Sequence, residues 1–172
     1  MRKVFIDTET TGLSPIDDDV LEIAIIDEDG NVLLNTLVQP VKKTEWADAQ
    51  AINGITPAMV AGCPTLVELA PKIAEAFHGA KVVMYNAAFD YAFLKPCLSA
   101  LQEGTDYQVH CAMRRFSVEM GEWDYRKGDY KRWKQAQAAE FVKHTWSGEA
   151  HRALADAQAC RSIWIWSTEV PF

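Results

Sequence analysis

Val-Phe-Ile-Asp-Thr-Glu-Thr-Thr-Gly-Leu, at Val4–Leu13, sets two carboxylates directly after a short apolar run near the start of the chain. The run at Val4–Thr8 has the apolar character of a buried strand. Asp7 and Glu9 lie two residues apart, so both side chains point to the same side of that strand. Because open α/β sheets bind ligands at the carboxyl ends of their strands, this stretch predicts an acidic site at one edge of a sheet.

The next two apolar runs extend this strand into a sheet. They cover Val20–Asp27 and Val32–Val38 and are joined through an Asp-Gly pair, which is a strong hairpin signal. The first third of the chain is therefore expected to form three adjacent antiparallel strands. Further short strands at Lys81–Tyr85 and Val109–Cys111 alternate with helical patterns. Together these patterns predict an α/β fold with a mixed sheet.

Local capping signals define the predicted helices. Thr56-Pro57 begins one helix, and Thr65-Leu-Val-Glu68 fits a capping box for a helix that Gly79 ends. Asn86 is expected to cap the following helix, which Pro96 bends. The predicted helices beyond Gly79 run from Asn86 to about Leu101 and over Ala112–Met120, Tyr130–His144 and Glu149–Ser167.

Length and composition predict a single domain over residues 1–172. No stretch approaches the roughly 18 apolar residues of a membrane span, and the N-terminus lacks the apolar core of a secretory leader. We therefore expect a cytoplasmic protein without membrane association. The cysteines are widely spaced and form no C-x-x-C pair, which favours small buried side chains over zinc ligands or disulfides. They are Cys63, Cys97, Cys111 and Cys160.

The net charge of −7 argues against a nucleic-acid partner, but the charge is unevenly distributed. Residues 110–145 hold eight Lys or Arg against five acids, interleaved with aromatic residues. Such a segment could hold a phosphate backbone and stack bases. The alternative is a solvated helical face with ordinary core aromatics. In the last helix, Trp164 and Trp166 cannot both face the core, but this spacing sets no oligomeric state.

Two later segments carry the remaining acids and a histidine. Asp90 falls in the first turn of a helix that follows a strand, where it could also complement the helix dipole. His151 and Asp156 are five apart, about 140° around a helix axis, so they cannot share a helical face. We therefore place His151 on the lead-in and Asp156 inside the last helix. A histidine near a helix start is alternatively an ordinary surface residue.

Taken together, four carboxylates and one imidazole suit metal-dependent hydrolysis of a phosphodiester. Oxygen ligands favour Mg²⁺ or Mn²⁺, and two such ions can neutralise the phosphoryl oxygens, activate water and stabilise the leaving alkoxide. Histidine is suited to removing the proton of the attacking water near neutral pH.

These motifs resemble those of the DnaQ-like, or DEDDh, 3′–5′ exonucleases. The resemblance rests on V-F-I-D-T-E-T-T-G-L, A-I-N-G-I-T-P-A-M, V-V-M-Y-N-A-A-F-D-Y-A-F-L and E-A-H-R-A-L-A-D-A, at Val4–Leu13, Ala51–Met59, Val82–Leu94 and Glu149–Ala157. It covers the chain from end to end, with a weaker fit between about Glu103 and Ser147. It implies a ribonuclease H-like fold with a mixed five-stranded sheet, three antiparallel strands followed by parallel strands, flanked by helices.

The resemblance also implies roles for individual residues. Asp7, Glu9 and Asp156 would hold one of two Mg²⁺ ions, for which Mn²⁺ can substitute, while Asp7 bridges to the second ion. Asp90 would bind metal directly or through water, and His151 would be the general base. The implied substrate-binding residues are Thr10, whose backbone meets the 3′-hydroxyl, Leu13 as a wedge against the terminal base, Ile55 against the terminal nucleotide, and Asn53, Asn86 and Phe89 around them.

Two positions depart from the family pattern. Asn53 and Tyr85 stand where the family often has histidine, which leaves substrate preference open. The chain ends at Phe172 soon after the last helix, which favours a stand-alone trimming or repair nuclease over a polymerase-bound proofreader.

The predicted function is release of nucleoside 5′-monophosphates from nucleic-acid 3′ ends, preferably of single-stranded DNA. An exoribonuclease or oligoribonuclease is one alternative, and a catalytically silent nucleic-acid-binding scaffold is another. The possible protein partners are a polymerase or another nucleic-acid-processing complex, and the sequence does not distinguish between them.

Overall fold

The computed structural model describes residues 1–100, 106–146 and 151–169, and a five-stranded mixed sheet lies at its centre. The strands are β1 (Arg2–Thr10), β2 (Val20–Asp27), β3 (Val32–Leu37), β4 (Ala80–Met84) and β5 (Gln108–Cys111), in the order β3-β2-β1-β4-β5. β1–β2 and β2–β3 are antiparallel, whereas β1–β4 and β4–β5 are parallel. The predicted mixed five-stranded sheet, with three antiparallel strands followed by parallel strands, is confirmed.

Seven helices lie in the described part of the chain, and the predicted caps form at two of them. Thr56 accepts a bond from the Met59 backbone, and Thr65 and Glu68 form a reciprocal capping box. The helices are α1 (Ala47–Asn53), α2 (Pro57–Val60), α3 (Leu66–Phe77), α4 (Ala87–Ala100), α5 (Ala112–Met120), α6 (Gln135–Phe141) and α7 (Ala153–Glu169). The predicted ends at Leu101 and Glu149 lie outside the described residues.

The predicted helix at Tyr130–His144 is wrong at its start and too long at its end. Two short antiparallel strands, β6 (Trp123–Asp124) and β7 (Asp129–Tyr130), form a hairpin ahead of α6. Gly128 adopts a φ of 62°, and its backbone N–H donates to the Asp124 carbonyl at 2.9 Å, which closes the turn. The hairpin uses backbone groups that a helix beginning at Tyr130 would need.

Side-chain alternation along β1 assigns each helix layer to one face of the sheet. Val4 and Ile6 pack in the core formed with α3 and α4. Phe5 packs on the opposite face, in the core formed with α5, α6 and α7. Asp7 and Glu9 continue the Phe5 series, so they belong to the face that α7 covers. This arrangement carries the first turn of α7 to the carboxyl end of β1.

The cysteines and tryptophans follow the sequence-based interpretation only in part, since Cys63 and Cys111 are half-buried and both Trp164 and Trp166 pack in the same core. All four cysteines are free, and Cys97 and Cys160 are buried. Trp164 is buried, whereas the half-buried Trp166 packs on the Phe116 ring at 5.4 Å between centroids. None of the described helices has the length and apolar character needed to cross a membrane.

Candidate active site

A cleft of about 320 Å³ opens at the carboxyl ends of β1 and β4. Residues from four separate parts of the chain form its walls: β1, the start of α4, the start of α6 and the turn into α7. The five predicted catalytic residues line it together with two predicted substrate-binding residues. These are Asp7, Glu9, Asp90, His151 and Asp156, with Asn86 and Phe89.

Three of the carboxylates converge tightly enough to share a cation. One oxygen each from Asp7, Glu9 and Asp156 lies within 4.8 Å of the others. β1 supplies the first two from one face, and the first turn of α7 supplies the third. A set made only of oxygen atoms fits the preference of Mg²⁺ or Mn²⁺, so these residues suit a divalent ion.

Asp90 also lines the cleft and is fixed by a hydrogen bond. Its side chain is only 4% exposed, and its Oδ1 accepts a bond from Thr8 Oγ1 at 2.8 Å. The Asn86 carbonyl accepts bonds from the backbone N–H groups of Phe89 and Asp90, which starts α4 directly after β4. Asp90 is therefore held at the cleft by the strand-to-helix turn and by β1.

His151 lies in the turn before α7, while Asp156 lies inside the helix, as the five-residue spacing predicts. The backbone of His151 is left-handed, with a φ of 64°, which is uncommon for a residue with a side chain. Its backbone N–H donates to Asp156 Oδ2 at 3.1 Å. This contact ties the exposed histidine to one of the clustered acids.

The acids raise each other's pKa values because they are buried and close together. Burial, followed by repulsion from Asp90, Asp156 and Glu9, raises the pKa of Asp7 well above its usual range. Burial and the neighbouring acids raise the pKa of Glu9 to about 8, although a hydrogen bond with Asn53 opposes the shift. Burial also raises the pKa of Asp90 to about 6. A bound cation would relieve this repulsion.

A fifth acid adjoins the cluster, and the sequence interpretation missed it. Glu22 is 3% exposed and pairs with Glu9 across β1 and β2. Its carboxylate accepts bonds from Arg152 Nε and Nη2 at 3.0 and 2.6 Å, and from the Ala153 N–H at 3.0 Å. The signal was an acid inside an otherwise apolar strand, because such a buried charge requires a partner.

The remaining predicted substrate-binding residues lie in different environments. Leu13 is 84% exposed, whereas Ile55 is fully buried against Trp46 and other core residues. Asn53 is buried, and its Nδ2 donates to the Thr10 carbonyl at 3.4 Å. Leu13 therefore lies on the surface, whereas the Ile55 side chain does not reach the surface. Asn53 supports the end of β1 through its bond to Thr10.

The wall formed by residues 134–136 was also missed from the sequence. Lys134 and Gln135 line the cleft, and Gln135 Nε2 donates to the Asp156 carbonyl at 2.6 Å. Tyr85, which lies where the family often has histidine, donates its hydroxyl to the Trp133 carbonyl at 2.9 Å. Tyr85 therefore anchors this wall. No short-range pattern in the sequence connects these positions.

Comparison with known proteins gives consistent matches. The RNase_T family, described as exonuclease, matches residues 4–163. An uncharacterized exonuclease, CP81, of Escherichia phage 186 is 39% identical over 168 residues, covering 94% of this chain and 85% of the phage protein. The DNA polymerase III subunit epsilon of Treponema pallidum is 33% identical over 164 residues, covering 91% of this chain and 72% of that subunit.

Solved structures show the same fold. Exonuclease I superposes with a TM-score of 0.76 at 20% identity, over 97% of this chain and 41% of that chain. E. coli exonuclease I in complex with a dA16 oligonucleotide gives a TM-score of 0.71 at 19% identity, covering 94% of this chain and 39% of that one. This chain thus spans about two fifths of exonuclease I. The superposition confirms the expected ribonuclease H-like arrangement of the sheet.

Proposed function

This chain belongs to the RNase_T exonuclease family, and from that premise we propose that it is a metal-dependent 3′–5′ exonuclease. The proposed reaction releases nucleoside 5′-monophosphates stepwise from the 3′ end of single-stranded DNA. One observation carries the proposal: Asp7, Glu9 and Asp156 converge within 4.8 Å in a cleft that also contains Asp90 and His151.

Asp7, Glu9, Asp90 and Asp156 would hold two divalent ions, Mg²⁺ or Mn²⁺. Their donor set consists only of oxygen atoms, and the acids raise each other's pKa values. Both features fit such ions, because bound cations would neutralise the repelling carboxylates. Bound divalent ions supply charge neutralisation at the phosphoryl oxygens and promote ionisation of water. Exonucleases of this family generally use divalent metals, and we propose Mg²⁺ or Mn²⁺ for this chain.

His151 is assigned the general base because of its position and freedom. Its side chain is exposed at the cleft, while its backbone is tied to Asp156 at 3.1 Å. The imidazole can therefore reach a water molecule in the cleft while its main chain stays close to the acids. Removal of a proton from that water is work for which neutral histidine is suited.

The substrate end would lie between the exposed Leu13 and the Phe89 wall of the cleft. Leu13 offers an apolar surface to the terminal base, and Asn86 offers a polar side chain beside Phe89. The Thr10 backbone, supported by Asn53, would meet the 3′-hydroxyl. The complex of exonuclease I with an oligodeoxynucleotide supports DNA as the substrate class.

Purified protein with Mg²⁺ should shorten a 5′-labelled single-stranded oligodeoxynucleotide one nucleotide at a time. The label should remain on a ladder of products, because attack from the 3′ end leaves the 5′ end intact. A matched oligoribonucleotide should be cut more slowly. Immediate release of the label, or internal cleavage, would contradict the proposed polarity, and a faster reaction on RNA would favour the exoribonuclease alternative.

Asp7→Asn should abolish the ladder, whereas Asp29→Asn is the matched control. Asp29 is an exposed carboxylate in the β2–β3 turn, at the opposite end of the sheet from the cleft. Both substitutions remove one negative charge. A chain that binds the oligonucleotide but shows no turnover with any divalent metal would instead be the silent scaffold.

A further inference from the structure

The hairpin formed by β6 and β7 is a feature that the reaction in the cleft leaves unexplained. We call residues 122–134, the hairpin and the three residues that follow it, the basic hairpin. Its strands pair Trp123 with Tyr130 and Asp124 with Asp129, and its tip is the Tyr-Arg-Lys-Gly turn at 125–128. Asp124 fixes that turn by accepting bonds from the backbone N–H groups of Arg126 and Gly128. The tip is therefore held in one shape.

The aromatic rings of this hairpin are not core residues. Tyr125 is 90% exposed and Trp123 is 46% exposed. The Trp123 ring stands edge-on to Tyr130, with 5.2 Å between centroids and 85° between planes. Trp123 and Tyr125 border a surface concavity of about 450 Å³ together with Arg126, Lys131 and the acids Glu122 and Asp124. Within residues 110–145, Phe116 is a core residue as the helical-face interpretation expects, whereas Trp123 and Tyr125 are exposed on a hairpin and depart from it.

Positive charge accumulates at the end of the basic hairpin, because residues 122–131 carry three Lys or Arg against three acids, whereas residues 132–134 add two cations and no acid. Residues 122–134 carry five Lys or Arg against three acids, in a chain of net charge −7. Lys131 pairs with Glu122 at 2.7 Å and Lys127 lies 3.8 Å from Asp124, so the hairpin's own acids engage two of its cations. Within the described ranges, Arg126, Arg132 and Lys134 form no ion pair shorter than 4.0 Å. These three cations can meet phosphate groups.

The basic hairpin is joined directly to the wall of the active-site cleft. Lys134 lines the cleft only four residues after Tyr130, a span of at most about 14 Å of extended chain. The intervening Trp133 is fixed by the Tyr85 hydroxyl, and its ring carries Lys131 Nζ at 4.1 Å from the centroid. A nucleic-acid strand that leaves the cleft past Lys134 would therefore next contact the aromatic and basic surface of the hairpin.

We infer that the basic hairpin is a docking surface for single-stranded nucleic acid, holding the nucleotides on the 5′ side of those in the cleft. The inference rests on the proposed function for the direction of the strand. Cations that lack acidic partners attract the phosphate backbone, and exposed rings stack on bases of any sequence. Stacking requires unpaired bases, so the surface favours single strands over duplexes. An acidic peptide would use the cations but would gain little from the rings.

Binding to a single-stranded oligodeoxynucleotide of about ten nucleotides tests the inference without any turnover. The Asp7→Asn background, in the presence of a chelator, separates binding from cleavage. Adding Tyr125→Ala should weaken binding roughly ten-fold through the loss of a stacking partner. Adding Tyr125→Phe, which keeps the ring, should leave the affinity close to that of the background. Because Tyr125 is exposed, neither variant should change the melting temperature.

The cationic part of the surface has its own test. Arg126→Ala should weaken binding and reduce the slope of log Kobs against log[salt] by about 0.7. Lys72→Ala is the matched control, since Lys72 is an exposed cation of α3 at the amino end of β1, beside Arg2. That control should preserve both the affinity and the slope. Equal effects of the two substitutions would overturn the inference.

The outcomes separate this inference from the proposed function. If the wild-type chain binds through Tyr125 and Arg126 but cleaves no substrate, the docking surface stands and the exonuclease assignment fails. If the chain cleaves but Tyr125→Ala binds the oligonucleotide as well as Tyr125→Phe does, the docking surface is wrong. Loss of affinity with Arg126→Ala alone, with no effect of the ring, would also overturn it, because a plain cationic surface would then suffice. With active protein, Tyr125→Ala should slow cleavage of the long substrate more than cleavage of a dinucleotide.

Discussion

The Arg152 guanidinium holds the Glu22 carboxylate through two bonds, from Nε to Oε2 at 3.0 Å and from Nη2 to Oε1 at 2.6 Å. Glu22 also accepts a bond from the Ala153 N–H, the first residue of α7. Glu22 of β2 therefore holds the start of α7 through Arg152, the residue directly after His151. The pair therefore adds a second anchor for the proposed base, beside the bond from the His151 N–H to Asp156.

We expect Glu22→Gln to reduce turnover more than its effect on stability explains. The amide keeps the shape of the side chain but loses the charge-assisted pair, which should cost about 1–3 kcal/mol of unfolding free energy. A small displacement of His151 can reduce kcat by roughly 10²-fold, while KM changes little. Steady-state kinetics and urea unfolding of the same preparations measure the two effects.

A double-mutant cycle with Arg152→Ala tests whether the two side chains act as a unit. The coupling energy calculated from the kcat values should be at least about 1 kcal/mol, since substitutions at two residues of one hydrogen-bonded pair do not have additive effects. Additive losses of kcat, or full activity of a folded Glu22→Gln protein, would show that the pair does not position His151.

In the absence of metal, the pH dependence of stability should reveal the crowded acids. The pKa of Glu9 is raised from 4.5 to about 8, so between these values the folded chain keeps a proton that the unfolded chain has released. Stability therefore falls as the pH rises through this window. From about pH 6 to about pH 8, Glu9 contributes a loss of up to about 3 kcal/mol in a chelating buffer.

Added Mg²⁺ should remove most of that decline, because coordination requires the ionised carboxylate and releases its proton. Glu9→Gln is the control that isolates this residue, as its own profile should be flatter than the wild-type profile. The half-buried His110 and His144, whose pKa values burial lowers, titrate in both proteins, so their contributions cancel in the comparison. A wild-type profile that matches the Glu9→Gln profile would refute the assigned shift.

Gly12→Ala should destabilise the loop that carries Leu13. A Cβ atom at Gly12 would lie 2.5–2.7 Å from the carboxylate atoms of Asp18. That carboxylate is buried, and it accepts bonds from Thr11 Oγ1 and the Ser14 N–H, both at 3.0 Å. Moving it should cost about 1–3 kcal/mol of unfolding free energy. In an Asp18→Ala background the added cost should largely disappear, and a cost that persists there would exclude the clash as its cause.

Much of the fold follows from local patterns that agree with the final packing. The Asp-Gly pair between β2 and β3 and the Thr65–Glu68 capping box are short-range signals, and both form as expected. The alternation along β1 also assigns Asp7 and Glu9 to one face from sequence alone. In each case the residues that form the sequence pattern also form the turn, cap or strand that the pattern predicts.

The failures occur where distant contacts decide the outcome. The helix predicted from Tyr130 yields to two-residue strands, which are too short to show periodicity. The burial of Ile55 against Trp46 depends on neighbours that no local pattern reveals, and its contact with the terminal nucleotide stays a prediction. Likewise, the pairing of Glu22 with Arg152 spans 130 residues.

His151 allows a test that separates backbone strain from chemistry. With a φ of 64°, its backbone is in a region that glycine and asparagine adopt more readily than histidine does. His151→Gly and His151→Asn should therefore be at least as stable as the wild type, and His151→Gly should gain up to about 1 kcal/mol. Both keep the backbone N–H that donates to Asp156 Oδ2. Calorimetric titration with Mn²⁺ should accordingly give affinities close to that of the wild type, while turnover falls by about 10²- to 10⁴-fold because the imidazole is gone. A variant that keeps its turnover would remove His151 as the base, and one that loses Mn²⁺ affinity would show that the side chain supports the metal site instead.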